Sequence, residues 1–140
     1  MKAYICTKYG PPEVLQLKEV EKPVPKDNEV LIKVIAGTVH IGDTKIRRFE
    51  PGLGPVKDFF YKPLMRIILG IKRPRRKILG MELAGDITAV GKSVTKFKVG
   101  DAVFASTELR FGAHAEYCCL SENAAIALKP VNMSYEEAAP

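Results

Sequence analysis

Between Gly80 and Val103, apolar runs alternate with glycines where an antiparallel barrel would have to bend. The segment reads Gly80-Met81-Glu82-Leu83-Ala84-Gly85, then Val90-Gly91, Val94, Phe97 and Gly100-Asp101-Ala102-Val103. Glycine accepts the positive φ values and close approaches that sharp bends demand, so Gly80, Gly85, Gly91 and Gly100 are read as bend positions. A carboxylate, Glu82, sits beside the first of them. Ten Pro and eleven Gly in 140 residues agree with many turns between short strands.

The flanking sequence extends this pattern. Ala3–Thr7 and Val14–Val20 read as two strands around the turn Tyr9-Gly10-Pro11-Pro12-Glu13, in which Pro fixes φ and Gly permits unusual φ. Glu29–Ala36 is a long, β-branched strand that is expected to be largely buried. Gly37–Gly42 is a loop, and Asp43 is placed to N-cap a short helix through Arg48. Pro51-Gly52-Leu53-Gly54-Pro55 breaks the chain. Phe60, Leu64, Ile67, Ile68 and Ile71 then fall at helical spacing, with Pro63 restricting where that helix begins. Strands return at Leu83–Val90, Ala102–Ser106, Gly112–Leu120 and Ala124–Leu128. Ser134 followed by Glu137 is a capping-box pattern that announces a helix. Only a few residues follow it, too few for a helix to be stable alone, which implies that the chain leads on towards a further domain.

With 27% charged and 46% hydrophobic residues, the composition is that of one ordinary soluble domain. Three cysteines, Cys6 and the adjacent Cys118 and Cys119, make a poor disulfide framework and fit a reducing compartment. The N-terminus lacks the apolar core of a signal peptide, and no run reaches the ~18–20 apolar residues of a membrane span, so a cytoplasmic location is expected. Neighbours on a strand face opposite ways, so Cys118 and Cys119 read as one core and one surface thiol. His114, between small residues of an alternating strand, is expected at a solvent-side or edge position.

The Gly80–Gly85 motif, followed by Val94-x-x-Phe97-x-x-Gly100-Asp101-x-Val103, resembles the N-terminal, GroES-like catalytic domain of the medium-chain dehydrogenase/reductase family. The hairpin, proline loop and long strand at the start resemble it as well. The resemblance implies a mainly β fold, a partly open antiparallel barrel with short helices. It assigns residues 1–129 to the catalytic domain, 50–77 to a basic insert within it, and 130–140 to the start of a linker helix leading to a Rossmann-type domain of the same parent chain.

Within that family, the zinc alcohol dehydrogenases have a cysteine where this chain has His40 and a histidine where it has Met81. A thioether is a poor ligand for catalytic zinc, and the four clustered cysteines of the structural zinc lobe are missing, so no metal site is expected. The zinc-less, quinone-oxidoreductase-like branch fits better. The resemblance then implies an oxidoreductase that passes hydride from NADPH to a quinone, enone or carbonyl, its small-molecule substrate. The hydride chemistry is the nicotinamide's own, with the protein supplying position and polarisation. His40, where these enzymes commonly have asparagine, becomes a candidate to bond the substrate carbonyl or to donate a proton, and Glu82 is the second catalytic candidate. Asp43 is a cofactor-side candidate and Thr44 a pocket candidate. Phe59, Phe60, Leu64 and Ile67 are candidate pocket walls. The plainer readings stand beside these: a loop histidine bonded to backbone, a buried glutamate with polar partners, and a capping aspartate.

No Gly-x-Gly-x-x-Gly fingerprint occurs in these residues, so the cofactor is expected to be bound mainly by the other domain and the isolated chain to be inactive. A zinc-dependent alcohol dehydrogenase is the alternative within the class. A non-catalytic GroES-like binding module, as in the co-chaperonins, is the alternative outside it, because fold alone does not decide function.

The net charge of +6 is uneven. Residues 45–77 carry eleven Lys or Arg against Glu50 and Asp58, a local +9 that leaves the remainder at −3. Residues 58–77 read first as a cap or pocket wall, next as a membrane-surface contact, and last as a nucleic-acid contact, since no nucleic-acid motif accompanies them.

Overall fold

The computed structural model describes residues 1–50 and 54–140, with the side chains of 55–58 and 61 left out of the description. The element order is β1 (Lys2–Cys6), β2 (Leu15–Glu19), β3 (Glu29–Gly37), α1 (Ile41–Arg48), α2 (Pro55–Leu69), β4 (Glu82–Val90), β5 (Ala102–Ser106), β6 (Tyr117–Ser121), β7 (Ala125–Leu128) and α3 (Tyr135–Ala138). Single 3-10 turns at Pro12–Val14 and Glu108–Arg110 complete it. Strands β6-β3-β4-β5-β7 form one antiparallel sheet, and β1-β2 form a separate ribbon. The ribbon is stitched to the sheet side by isolated bridges at Ala3–Ala115 and Ile5–Ile78. The protein is mainly β, a curled half-barrel of the expected kind.

β-Branched and apolar residues of β3 and β4 build the centre. Val30, Ile32, Leu83, Ile87, Val103 and Leu120 are buried together, with Val94 and Phe97 packed against them. Each large side chain removed from water in this way contributes about 1.5–3 kcal/mol. The glycines do what their spacing predicts. A Cβ on Gly85 would lie 2.0 Å from the Lys33 carbonyl oxygen, so β3 and β4 approach there at a distance open only to glycine. That site falls beside a register shift between Val34 and Ala36, where the sheet bends.

Three expectations are corrected. The helix after the Gly37–Gly42 loop starts at Ile41 and is capped by His40, not Asp43. Helix α2 starts at Pro55 and runs through Pro63, forgoing one backbone bond at a cost of about 3 kcal/mol, so Pro63 does not set its start. The strand expected from Gly112 begins only at Tyr117, because residues 113–116 turn aside to meet the ribbon, Tyr4 N–H donating to the His114 carbonyl and Glu116 N–H to the Lys2 carbonyl. Of the predicted chain break, residues 51–53 lie outside the described residues.

The capping box at the end is present: Ser134 Oγ accepts the Glu137 N–H at 3.2 Å, and Glu137 Oε2 accepts the Ser134 N–H at 2.8 Å. The four-residue helix α3 is held by docking rather than by length. Ala138 and Ala139 bury against Ala84, and the Tyr135 hydroxyl donates to Asp86 Oδ1 at 2.5 Å. Small residues let the helix approach the sheet closely enough for that bond to form.

Candidate functional site

Residues 38–40 join β3 to α1, and with the first turn of α1 they carry His40, Asp43 and Thr44 of the predicted site residues. The shape of this loop is set by polar groups rather than by apolar packing. His40 N-caps α1: its Nδ1 accepts the Gly42 N–H at 3.0 Å, and its own backbone N–H donates to Asp43 Oδ2 at 3.1 Å. The two bonds form a reciprocal capping box with imidazole in place of the usual hydroxyl. With Nδ1 engaged as an acceptor, the neutral ring carries its proton on Nε2. His40 is half-buried, between the exposed apolar side chains of Val39 and Ile41.

Asp43 is 3% exposed and acts as the hub of the loop. Besides the His40 N–H, it accepts the Gly80 N–H on Oδ1 at 2.9 Å. The carbonyl of Gly80 is held in turn by Thr107 Oγ1 at 2.9 Å and by the Ala113 N–H at 3.2 Å. Gly80 itself has φ +97°, and a Cβ there would collide with His114. The backbone before Glu82 is thus pinned on both sides. Both oxygens of Asp43 accept backbone N–H groups inside the domain, tying the His40 turn to the segment before Glu82.

Glu82, at the start of β4, is half-buried, and its Oε2 accepts a short hydrogen bond from the Thr38 hydroxyl. The Thr38 carbonyl accepts from His114 Nε2 at 3.0 Å, and that nitrogen also lies 3.9 Å from Asp43 Oδ2. His114 is therefore not a solvent-side residue. Its ring is 17% exposed and braces the loop from behind. Thr38 and His114 are the members of this site that sequence reasoning missed. Thr38 carried no signal beyond its place ahead of His40, and the flanking alanines of His114 are what leave room for its ring.

The positions equivalent to zinc ligands do converge, since a Cβ on Gly42 would meet both Met81 Sδ and His40 Nδ1. The donors do not suit the metal: one is a thioether and the other an imidazole whose Nδ1 already holds a backbone N–H. For a dinucleotide, the described residues provide neither a glycine-rich turn nor a free carboxylate at Asp43.

A cleft of about 580 Å³ lies between the β1-β2 ribbon and the loop, lined by Tyr4, Leu15, Leu17, Val39, Thr44 and His114 among others. Thr44 borders it, whereas His40 and Glu82 do not. Glu82 borders a smaller hollow of about 400 Å³ with Phe104, Ile126 and Ala139. Phe59, Phe60, Leu64 and Ile67 border none of these cavities and are exposed on α2.

The thiols are quiet. Burial, with the neighbouring Cys119 and Glu29, pushes Cys118 up to about 12, and burial with Glu29 pushes Cys119 up to about 11. Cys118 is in the core and Cys119 half-buried. No group of three or more potential metal-binding side chains occurs among the described residues.

Comparison with known proteins gives a consistent result. Residues 26–130 match the alcohol dehydrogenase GroES-like domain. The quinone oxidoreductase of Sus scrofa is 35% identical over 140 residues, covering 99% of this chain and 36% of that protein. The 2-methylene-furan-3-one reductase of Solanum lycopersicum is 33% identical, over 99% of this chain and 33% of that protein. The solved quinone oxidoreductase from Coxiella burnetii superposes with a TM-score of 0.77 at 29% identity, over 99% of this chain and 40% of that one. The chain thus spans little more than a third of the length of the curated relatives it matches. By matched domain, fold and relatives together, it belongs to the GroES-like N-terminal domains of the medium-chain dehydrogenase/reductase family, in the quinone-oxidoreductase-like branch.

Proposed function

We propose that this chain is the substrate-binding half of an NADPH-dependent oxidoreductase that reduces a quinone, enone or carbonyl, with residues 130–140 leading into the nucleotide-binding half. The nicotinamide, held mainly by that other half, supplies the hydride. The observation that carries the reading is the orientation of His40. The Gly42 N–H on Nδ1 leaves Nε2 as a hydrogen-bond donor with no protein partner among the described residues. An oriented imidazole donor between apolar Val39 and Ile41 suits a carbonyl oxygen that gains negative charge as hydride arrives.

Asp43, Thr38, Glu82 and His114 serve as positioning residues in this reading. They hold the His40 loop against the start of β4, so that the donor is in place before substrate binds. Thr44, one turn along α1, borders the adjoining cleft and contributes to its shape. The names of the relatives, among them a quinone oxidoreductase and an NADPH-dependent alkenal/one oxidoreductase, support the substrate class.

The test is NADPH oxidation by the full-length enzyme with a small quinone and an α,β-unsaturated ketone. His40→Ala is expected to lower kcat/KM about 10–100-fold, while His40→Asn, which keeps a donor, retains most of it. Unchanged kcat/KM in His40→Ala removes the imidazole from the mechanism. Turnover of NADPH by residues 1–140 alone refutes the division of labour between the two halves.

A further inference from the structure

We propose that the outer face of α2, together with the basic turn that follows it, docks the protein on a membrane surface bearing anionic phospholipid. This inference is independent of the catalytic reading above. The expected cap would turn the apolar face of α2 towards the barrel, and the structure shows the reverse. Phe60, Leu64, Ile67 and Ile68 fall on one stripe of the helix, and that stripe faces outward, Phe60 being 73% and Ile67 62% exposed. Phe59 and Ile71 extend the apolar surface at its ends, at 75% and 67% exposed.

The half-buried side of α2 is formed by Lys62, Met65 and Leu69, and the end of the helix is held by further contacts. The Arg66 guanidinium lies 5.3 Å over the Phe49 ring, Phe49 packs on Tyr9, and the Tyr9 hydroxyl donates to the Gly70 carbonyl at 2.9 Å. These contacts fix the C-terminal end of the helix on the domain and hold its apolar stripe away from it. A stripe from Phe59 to Ile71 is roughly 18 Å long at 1.5 Å per residue, long enough to lie in the headgroup layer and far too short to span a bilayer. No helix among the described residues is long and apolar enough to cross one.

Charge identifies the surface that would meet this stripe. Immediately after it come Lys72, Arg73, Arg75, Arg76 and Lys77, all exposed and none in an ion pair with a described carboxylate. Pro74 is buried among them and anchors the turn, and the Arg75 N–H donates to the Leu69 carbonyl at 2.7 Å, folding the basic run back against the end of the helix. Apolar side chains and a cluster of five cations therefore share one edge of a domain whose remaining residues, outside 45–77, are net negative. Acyl chains would cover the first group and lipid phosphates would neutralise the second. A neutral apolar partner would satisfy only half of this surface.

The experiment is co-sedimentation of the protein with vesicles of phosphatidylcholine alone and of about three parts phosphatidylcholine to one part phosphatidylglycerol. Two variants are run alongside: Phe60→Ser/Leu64→Ser/Ile67→Ser, and Arg73→Gln/Arg75→Gln/Arg76→Gln/Lys77→Gln. Both change exposed side chains, and far-ultraviolet circular dichroism checks that the sheet is retained. The expected result is partition onto the anionic vesicles that falls about tenfold or more in either variant and in high salt. Equal recovery with both vesicle types, or no recovery with either, overturns the proposal. So does a concentration-dependent dimer that the serine variant dissociates, since a second copy would then cover the stripe.

Discussion

The Asp43 carboxylate accepts the Gly80 N–H at 2.9 Å, joining residues 37 positions apart in the chain. One bond thereby fixes the loop that carries His40 relative to the strand that begins with Glu82. Because Asp43 is buried, its removal leaves the N–H groups of Gly80 and His40 without their acceptor, a loss of about 1–3 kcal/mol. Asp43→Ala is expected to lower the urea midpoint accordingly and to raise proton exchange at the Gly80 amide. Asp43→Asn, which keeps one acceptor oxygen, should lose less. A midpoint unchanged in Asp43→Ala would show that the carboxylate does not organise this loop.

Gly85 tests the geometry of the sheet. An added methyl would meet the Lys33 carbonyl oxygen at 2.0 Å, a backbone atom that cannot swing aside. Gly85→Ala must therefore part β3 from β4, and a destabilisation of about 3 kcal/mol or more is expected. Gly100→Ala makes a useful contrast, since nothing lies within 4 Å of its Cβ and only its φ of +93° is strained. Equal losses in the two variants would contradict the close approach at Gly85.

The docking of α3 has a pH signature. The hydrogen bond to the Asp86 carboxylate, with some desolvation, raises the Tyr135 phenol above its ordinary value. A raised pKa means that the folded state favours the protonated phenol. The stabilisation is complete below about pH 10, the ordinary tyrosine value, and is lost as pH rises through the raised one. Tyr135→Phe should flatten that alkaline decline, measured as the difference between the two proteins' denaturation curves, and should cost about 0.5–1 kcal/mol at neutral pH. Parallel alkaline profiles would refute the assignment.

Thiol labelling checks the burial of the cysteines. With Cys118 near 12 and Cys119 near 11, and Cys6 also raised by burial, few thiolates exist at pH 8. Alkylation by iodoacetamide is expected to be at least about tenfold slower in the native protein than in urea. Fast native labelling of Cys118 would place that side chain outside the core.

Much of this protein was legible in its residues because the signals are local. The β-branched run of β3, the apolar run of β4 and the Ser134–Glu137 capping box each occupy a few consecutive positions, and the backbone bonds they favour form within or beside those positions. The opposite facing of Cys118 and Cys119 followed from strand geometry alone. Other features required the folded chain. Asp43 has the chemistry of an N-cap, but Gly80 competes for its carboxylate from across the domain, and His40 takes the cap instead. His114 read as an edge residue until the turn at 113–116 brought its ring under Thr38. Helical spacing showed that α2 has an apolar stripe and could not show which way it points. That was decided by Arg66, Phe49 and Tyr9, whose contacts hold the C-terminal end of the helix on the domain. Periodicity records which side chains share a face, whereas the direction of that face depends on contacts between segments far apart in sequence.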